Sequence, residues 1–293
     1  MKSLWEFRVG QYRPFYDAIL WYLRNCPGNL LKTYLRLGVV GHSPRYVTFR
    51  NSDGLIFDLD LSDFIQQAIY SYQYYEIEDV KALRKMVPFG GVFFDIGANV
   101  GQYSLLAANL VGPAGRVYSF EPGEIIFKRL KRNVDLNKFE NISLINKAVG
   151  NLSGETEFYA AKGRNSGEGS LLRLSSGRGE IREQTSCRVG IVRLDDFCEK
   201  ENIERVNVLK FDAEGYENEI IKGAGNILNL NQDLLVMMEI SRVCLKEAGL
   251  TPHELISNME GFRFRGFKAN MNGRLVPLSH HERIELCNVF FIR

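Results

Sequence analysis

Residues Val92–Ile96 form a five-residue run that is apolar except for Asp95. The run breaks into Gly97-Ala98-Asn99-Val100-Gly101 before a helical pattern begins at Gln102. Apolar runs this short read as strands buried on both faces, and glycines four apart let the backbone turn sharply into a helix. A strand, tight turn and helix of this kind opens a βαβ unit, and the rhythm then repeats. Arg116–Phe120 reads as a strand, Glu124–Asn137 as a helix with Ile126, Leu130 and Val134 on one face, and Ile142–Ile145 as a strand. Further strands are expected at Val206–Phe211, Leu234–Ile240, Phe262–Phe267 and Leu286–Ile292, with helices at Glu217–Ile227 and Pro252–Asn258. Such alternation predicts an α/β fold around a mostly parallel sheet covered on both faces. Only turn chemistry (Asn270-Met271-Asn272-Gly273) separates the last two strands, so an antiparallel strand is expected at the C-terminal edge.

Three stretches stand outside that rhythm. Residues 1–45 carry Lys2, Arg8, Arg13, Arg24, Lys32, Arg36 and Arg45 against Glu6 and Asp17 alone, with apolar residues at helical spacing. They are expected to form an amphipathic helical extension that packs as a lid or dimer surface, or rests its basic face on anionic lipid. Residues 46–293 are expected to be the main domain. Within it, 46–91 lead in as a hairpin turning at Asn51-Ser52-Asp53-Gly54 and one helix from Ile65 to Val87. Glu155–Tyr159 and Cys187–Leu194 read as strands, and the Gly-, Ser- and Arg-rich residues 162–185 between them as a flexible loop over an active site.

Composition narrows the function. Thirty-seven basic residues against 35 acidic ones leave a formal charge of +2, which argues against a nucleic-acid binder. Five scattered cysteines without a C-x-x-C pair argue against a disulfide framework or a cysteine zinc site. No apolar run approaches the roughly 20 residues of a spanning helix. A cytoplasmic protein is expected, with peripheral contact at the inner membrane surface through the N-terminal helices.

The glycine turn lies where open α/β sheets bind nucleotides. Its spacing departs from G-x-G-x-x-G, and Asp95 in the strand would repel a pyrophosphate but attract a ligand ammonium. S-adenosylmethionine carries an amino-acid end and no phosphate. Phe120-Glu121-Pro122 follows about 20 residues later, at the place where an acid accepts hydrogen bonds from ribose hydroxyls.

These residues, with Leu209-Lys210-Phe211-Asp212-Ala213-Glu214-Gly215-Tyr216-Glu217 and Lys222-Gly223-Ala224, resemble the FkbM family of S-adenosylmethionine-dependent methyltransferases. The resemblance covers roughly residues 55–293. It implies a class I, Rossmann-like sheet of seven strands. It also implies O-methyl transfer to a sugar, glycan or secondary metabolite, with S-adenosylhomocysteine as product. Asn146-Lys147-Ala148-Val149-Gly150 resembles the family segment beside the adenine, and Tyr75-Glu76 a recurrent Tyr-Glu near the methionine end. By that resemblance the cofactor is held by Glu76, Asp95, Gly97, Ala98, Asn99, Gly101, Ser104, Glu121, Pro122, Ala148, Val149 and Asp212.

Asp212, just past the fourth parallel strand, is the candidate for deprotonating or orienting the acceptor hydroxyl, with Glu214 assisting. A divalent metal held by these acids would be an alternative, but the spacing points to no metal ligand set. Glu217 is read as a helix-terminal acid, Asp195 and Asp196 as turn or capping acids, and His280-His281 as a solvated pair in reserve as a base. Competing readings are an N-methyltransferase of the same fold, which would carry a Pro-Pro-aromatic sequence after Asp212, a catalytically silent cofactor-binding module, and an NAD-linked oxidoreductase. A homo-oligomer would be compatible with any of these.

Overall fold

The computed structural model describes residues 45–161, 169–174, 176–177, 180–181, 184–279 and 282–293. The expected basic helices therefore lie, apart from Arg45, outside the described residues, as do His280-His281 and parts of the 162–185 stretch. Contacts divide the chain into two compact units, Met1–Tyr75 and Glu76–Arg293. Among the described residues no helix is long and apolar enough to cross a membrane.

In the first unit, β1 (Tyr46–Arg50) pairs antiparallel with β2 (Ile56–Asp60). Asn51 closes the turn by accepting through Oδ1 from the amides of Asp53 and Leu55, each at 3.0 Å. Helix α1 (Phe64–Tyr72) starts at Asp63, whose side chain accepts from the Gln66 amide. The single helix expected over Ile65–Val87 is two. Gln73 at φ 77° and Glu76 at φ 55° break the helical path before α2 (Ile77–Met86) begins. Helical periodicity persists on either side of such a break, so the pattern alone could not expose it.

The second unit alternates as expected. After β3 (Val92–Ile96) come α3 (Gln102–Val111), β4 (Arg116–Phe120), α4 (Glu124–Asn137) and β5 (Ile142–Ile145). Then follow β6 (Ala148–Gly150), β7 (Gly154–Ala161), β8 (Ser176–Gly177), β9 (Glu180–Ile181) and β10 (Gln184–Arg193). The chain continues through α5 (Leu194–Lys200), β11 (Val208–Phe211), α6 (Glu217–Gly223), α7 (Gly225–Leu230) and β12 (Leu235–Ser241). It ends with α8 (Arg242–Glu247), α9 (Pro252–Gly261), β13 (Arg265–Ala269), β14 (Leu275–Pro277) and β15 (Leu286–Ile292).

The main sheet has the order β14-β13-β15-β12-β11-β3-β4-β5. From β12 to β5 every neighbouring pair is parallel. This is the mostly parallel α/β sheet expected, with one strand more than seven. Leu286–Ile292 is antiparallel as expected, but it is inserted between β12 and β13 rather than lying at the edge. The edge is β14, a short antiparallel strand that the Asn270–Gly273 turn feeds directly. All four residues of β11 and six consecutive residues of β12 are buried. Burial of consecutive residues requires cover on both faces of the sheet.

Three strands form a second sheet, β6-β10-β7. Ala148–Gly150, expected as a loop, is thus a strand, parallel to β10. Part of the expected loop is also ordered against it. Ser170 bridges Tyr159 through backbone bonds of 2.8 and 3.1 Å, and β8 pairs with β9. The Glu217–Ile227 helix divides at Ala224 into α6 and α7. Asp195 receives the α7 amides of Asn226 (3.0 Å) and Ile227 (3.2 Å) and so caps that helix, as a turn acid should.

Candidate active site

The carboxyl ends of β3, β4 and β11 converge on one cleft. The turn after β3 is fixed to β4, because the Gly97 and Ala98 amides both donate to the Phe120 carbonyl at 3.0 Å. Gly97 has φ +70°, and a Cβ there would stand 2.1 Å from the Asp212 carbonyl oxygen. Glycine is therefore required twice over, by backbone conformation and by the close approach of the loop after β11. Gly101, at φ +93°, begins α3.

Asp95 lies beneath this turn with no exposed surface. Its Oδ2 accepts from Ser104 Oγ at 2.6 Å, and Ser104 accepts in turn from Ser119 Oγ at 2.8 Å. Lys210 Nζ stands 3.3 Å from Asp95 Oδ1. That contact is an ion pair rather than an aligned hydrogen bond, since Oδ1 has no hydrogen-bond donor among the described residues. The ammonium donates instead to the carbonyls of Gly97 (3.0 Å) and Ile96 (3.4 Å). Burial alone would lower the Lys210 pKa, but the charges of Asp95 and Asp212 outweigh it and hold the amine above its ordinary value. The attraction read from Asp95 toward a ligand ammonium is therefore met from inside the protein.

Glu121, at the end of β4, is oriented by the backbone. Its Oε2 accepts from the Asn99 amide at 3.1 Å and its Oε1 from the Gly123 amide at 2.8 Å. Burial pushes its carboxyl up to about 7, the two amides only partly offsetting it. An ionised carboxylate offers about four acceptor positions, so positions remain for the two hydroxyls of a ribose. Asn146 donates to the carbonyls of Glu121 (2.8 Å) and Pro122 (3.1 Å), tying the next strand's end to the same edge.

A cavity of about 510 Å³ opens beside Glu121, within the range of small-molecule sites, about 300–1,000 Å³. Gly97, Asn99, Glu121, Pro122, Ala148, Val149 and Asp212 all line it. Glu76, Asp95, Ala98, Gly101, Ser104 and Glu214 do not. Asp95, Ser104 and Gly101 support the turn from behind. Glu76 accepts from the Tyr103 hydroxyl at 2.7 Å, and burial followed by the charge of Asp79 pushes its carboxyl up to about 7. Lining residues that the sequence did not single out are Phe158, Ser170, Leu171, Thr185, Cys187 and Tyr216. Their signal was weak because they come from the second sheet and the Gly-rich stretch, whose pairing is not local.

The loop after β11 gathers acids. Glu214 sits at φ 49°, a left-handed conformation, and its Oε2 accepts from the Cys244 thiol at 3.0 Å. Glu217 turns back to accept from the amides of Ala213 (3.1 Å) and Gly215 (3.2 Å), a structural role, and burial pushes it up to about 7. Glu239 on β12, absent from the sequence reading, also faces this loop. Burial, then the carboxylates of Asp212, Glu214, Glu76 and Glu217, push it well above the usual carboxylate range.

Comparison with known proteins agrees with this geometry. The model of the methyltransferase FkbM domain matches residues 95–268, more than half of the chain, and the chain belongs to that family. It is similar to the hexuronic acid methyltransferase AglP of Haloferax volcanii, with 29% identity over 140 residues, 47% of this chain and 51% of that protein. It is similar also to the 2-O-methyltransferase NoeI of Sinorhizobium fredii, with 24% identity over 145 residues, 47% of this chain and 58% of that protein. The chain thus spans little more than half the length of these relatives. The solved structure of an FkbM methyltransferase from Methylobacillus flagellatus is 13% identical with a TM-score of 0.41, covering 98% of this chain and 60% of that one.

Proposed function

We propose that this member of the FkbM methyltransferase family is an S-adenosylmethionine-dependent O-methyltransferase acting on a hydroxyl of a sugar, glycan or secondary metabolite. One observation carries the reading. The cavity joins a backbone-oriented carboxylate, Glu121, to an apolar slot of Pro122, Ala148, Val149 and Phe158, with Asp212 also on its wall. That donor set fits a nucleoside, whose ribose hydroxyls would meet Glu121 while its base lies against the apolar residues.

When bound, S-adenosylmethionine supplies a methyl group on a positively charged sulfur that an incoming oxygen can displace in line. The chain's own part is to hold the acceptor hydroxyl in line with that methyl and to draw off its proton. Holding two reactants in near-attack geometry is the larger part of such catalysis. Asp212, whose Oδ1 is buried without a donor among the described residues, has an acceptor position for the proton. The named relatives, a hexuronic acid methyltransferase and a 2-O-methyltransferase, favour a carbohydrate hydroxyl as acceptor.

The test has two parts. S-adenosylhomocysteine should bind the purified protein in calorimetry, and labelled methyl groups should pass to fractionated glycans of the host, located by mass spectrometry. Binding without transfer to any glycan or metabolite fraction would favour a silent binding module, and labelled amines would favour N-methylation.

A further inference from the structure

Register places Phe211 of β11 directly beside Met238 of β12. The next residues in each strand's path, Asp212 and Glu239, are therefore neighbours at the carboxyl edge of the sheet. Glu214 curls back on the same loop in its left-handed conformation. Oxygens of Asp212, Glu214 and Glu239 all lie within 4.8 Å of one another. Two ligands on opposite sides of an ion with metal–oxygen distances of about 2.0–2.6 Å are themselves about 4–5 Å apart. The three carboxylates already occupy that envelope.

A cluster of acids alone would not argue for an ion. Glu239 supplies the second observation. It is only 8% exposed, and no hydrogen-bond donor or basic side chain pairs with it among the described residues. It points at two other carboxylates instead. Asp212 Oδ1 is likewise buried without a donor. The remaining acids nearby are accounted for, Glu217 by backbone amides and Glu76 by Tyr103. The nearby cation Lys210 is bonded to Asp95 and the β3 turn. Buried charge is retained where it is paired or coordinates a metal, and here the pairing partner is missing.

We propose that Asp212, Glu214 and Glu239 form a binding site for a divalent cation of the magnesium or manganese class. All three ligands are hard carboxylate oxygens, the set such ions prefer, and coordination by water completes the shell. Asp212 belongs both to this triad and to the cavity wall, so the ion sits next to the reacting centre. What the ion does there rests on the methyltransferase reading: it binds the acceptor hydroxyl and acidifies it. Binding of the ion does not depend on that reading.

The experiment is a Mn²⁺ titration of chelator-stripped protein followed by electron paramagnetic resonance, with Mg²⁺ as competitor, beside a calorimetric titration with S-adenosylhomocysteine. One Mn²⁺ per chain is expected, displaced by Mg²⁺ and bound at least tenfold more weakly by Glu239→Gln, which should keep its affinity for S-adenosylhomocysteine. Absence of stoichiometric Mn²⁺ binding by the unaltered protein, or unchanged binding by a folded Glu239→Gln, overturns the proposal. Should Glu239→Gln fail to fold, the titration of the unaltered protein and of Asp212→Asn decides in the same way. Failure of S-adenosylhomocysteine to bind would strike the methyltransferase reading and leave the Mn²⁺ result to stand by itself.

Discussion

Replacing Lys210 by Met keeps roughly the volume of the stem and removes the ammonium. Lys210 and Asp95 have side-chain exposures of 5% and 0% and stand 3.3 Å apart. Water cannot replace the lost partner, so Asp95 becomes an uncompensated buried charge. Breaking a buried pair from one side typically costs about 3–5 kcal/mol, a large part of the roughly 5–15 kcal/mol that holds a domain folded. The Gly97 carbonyl loses its donor at the same time. Urea unfolding followed by circular dichroism should show Lys210→Met less stable by about 3–5 kcal/mol. Asp95→Asn combined with Lys210→Met should recover about half of that or more. The amide keeps an acceptor for Ser104, and no buried charge remains. A loss under about 1 kcal/mol in Lys210→Met, or a double variant as unstable as the sum of the singles, would refute the ion pair as the support of the glycine turn.

Other expectations follow from the site. Glu121→Ala should weaken S-adenosylhomocysteine binding by about 1–3 kcal/mol in calorimetry, the usual worth of hydrogen bonds to a charged group. Asp212→Asn should slow single-turnover methyl transfer by about 10²–10⁴ while changing cofactor affinity far less; near-normal chemistry would move the base elsewhere. Gly97→Ala should destabilise the protein and abolish cofactor binding, since its methyl would meet the Asp212 carbonyl at 2.1 Å; normal thermal stability in that variant would contradict the loop packing. Glu76, Glu121 and Glu217 all have folded pKa values raised to about 7. The folded state therefore holds their protons more tightly than the unfolded chain. Their contribution to stability is complete below about pH 4.5 and is lost as pH rises through about 7. For the well-buried Glu121 and Glu217 that loss is up to about 3 kcal/mol each. Thermal melts should fall from pH 5 to pH 8, and Glu217→Gln should flatten the slope.

The sequence by itself determined what depends on neighbours along the chain. Short apolar runs between helical periods gave the parallel strands, because strand and helix periods are written within a few residues. Gly97 and Gly101 announced a turn that only glycine conformations allow, and Glu121 stood out because a fixed interval separates successive βα units. The capping role of Asp195 and the backbone role of Glu217 were readable for the same reason. Tertiary structure decided the rest. That Lys210 faces Asp95, that Glu239 meets Asp212, and that Leu286–Ile292 slips inside the sheet are all consequences of strand order. Strand order is a matter of which distant segments bury each other's surfaces. Phe158 and Tyr216 reach the cavity by that same long-range packing, and no local period marks a side chain for a neighbour supplied from elsewhere in the chain.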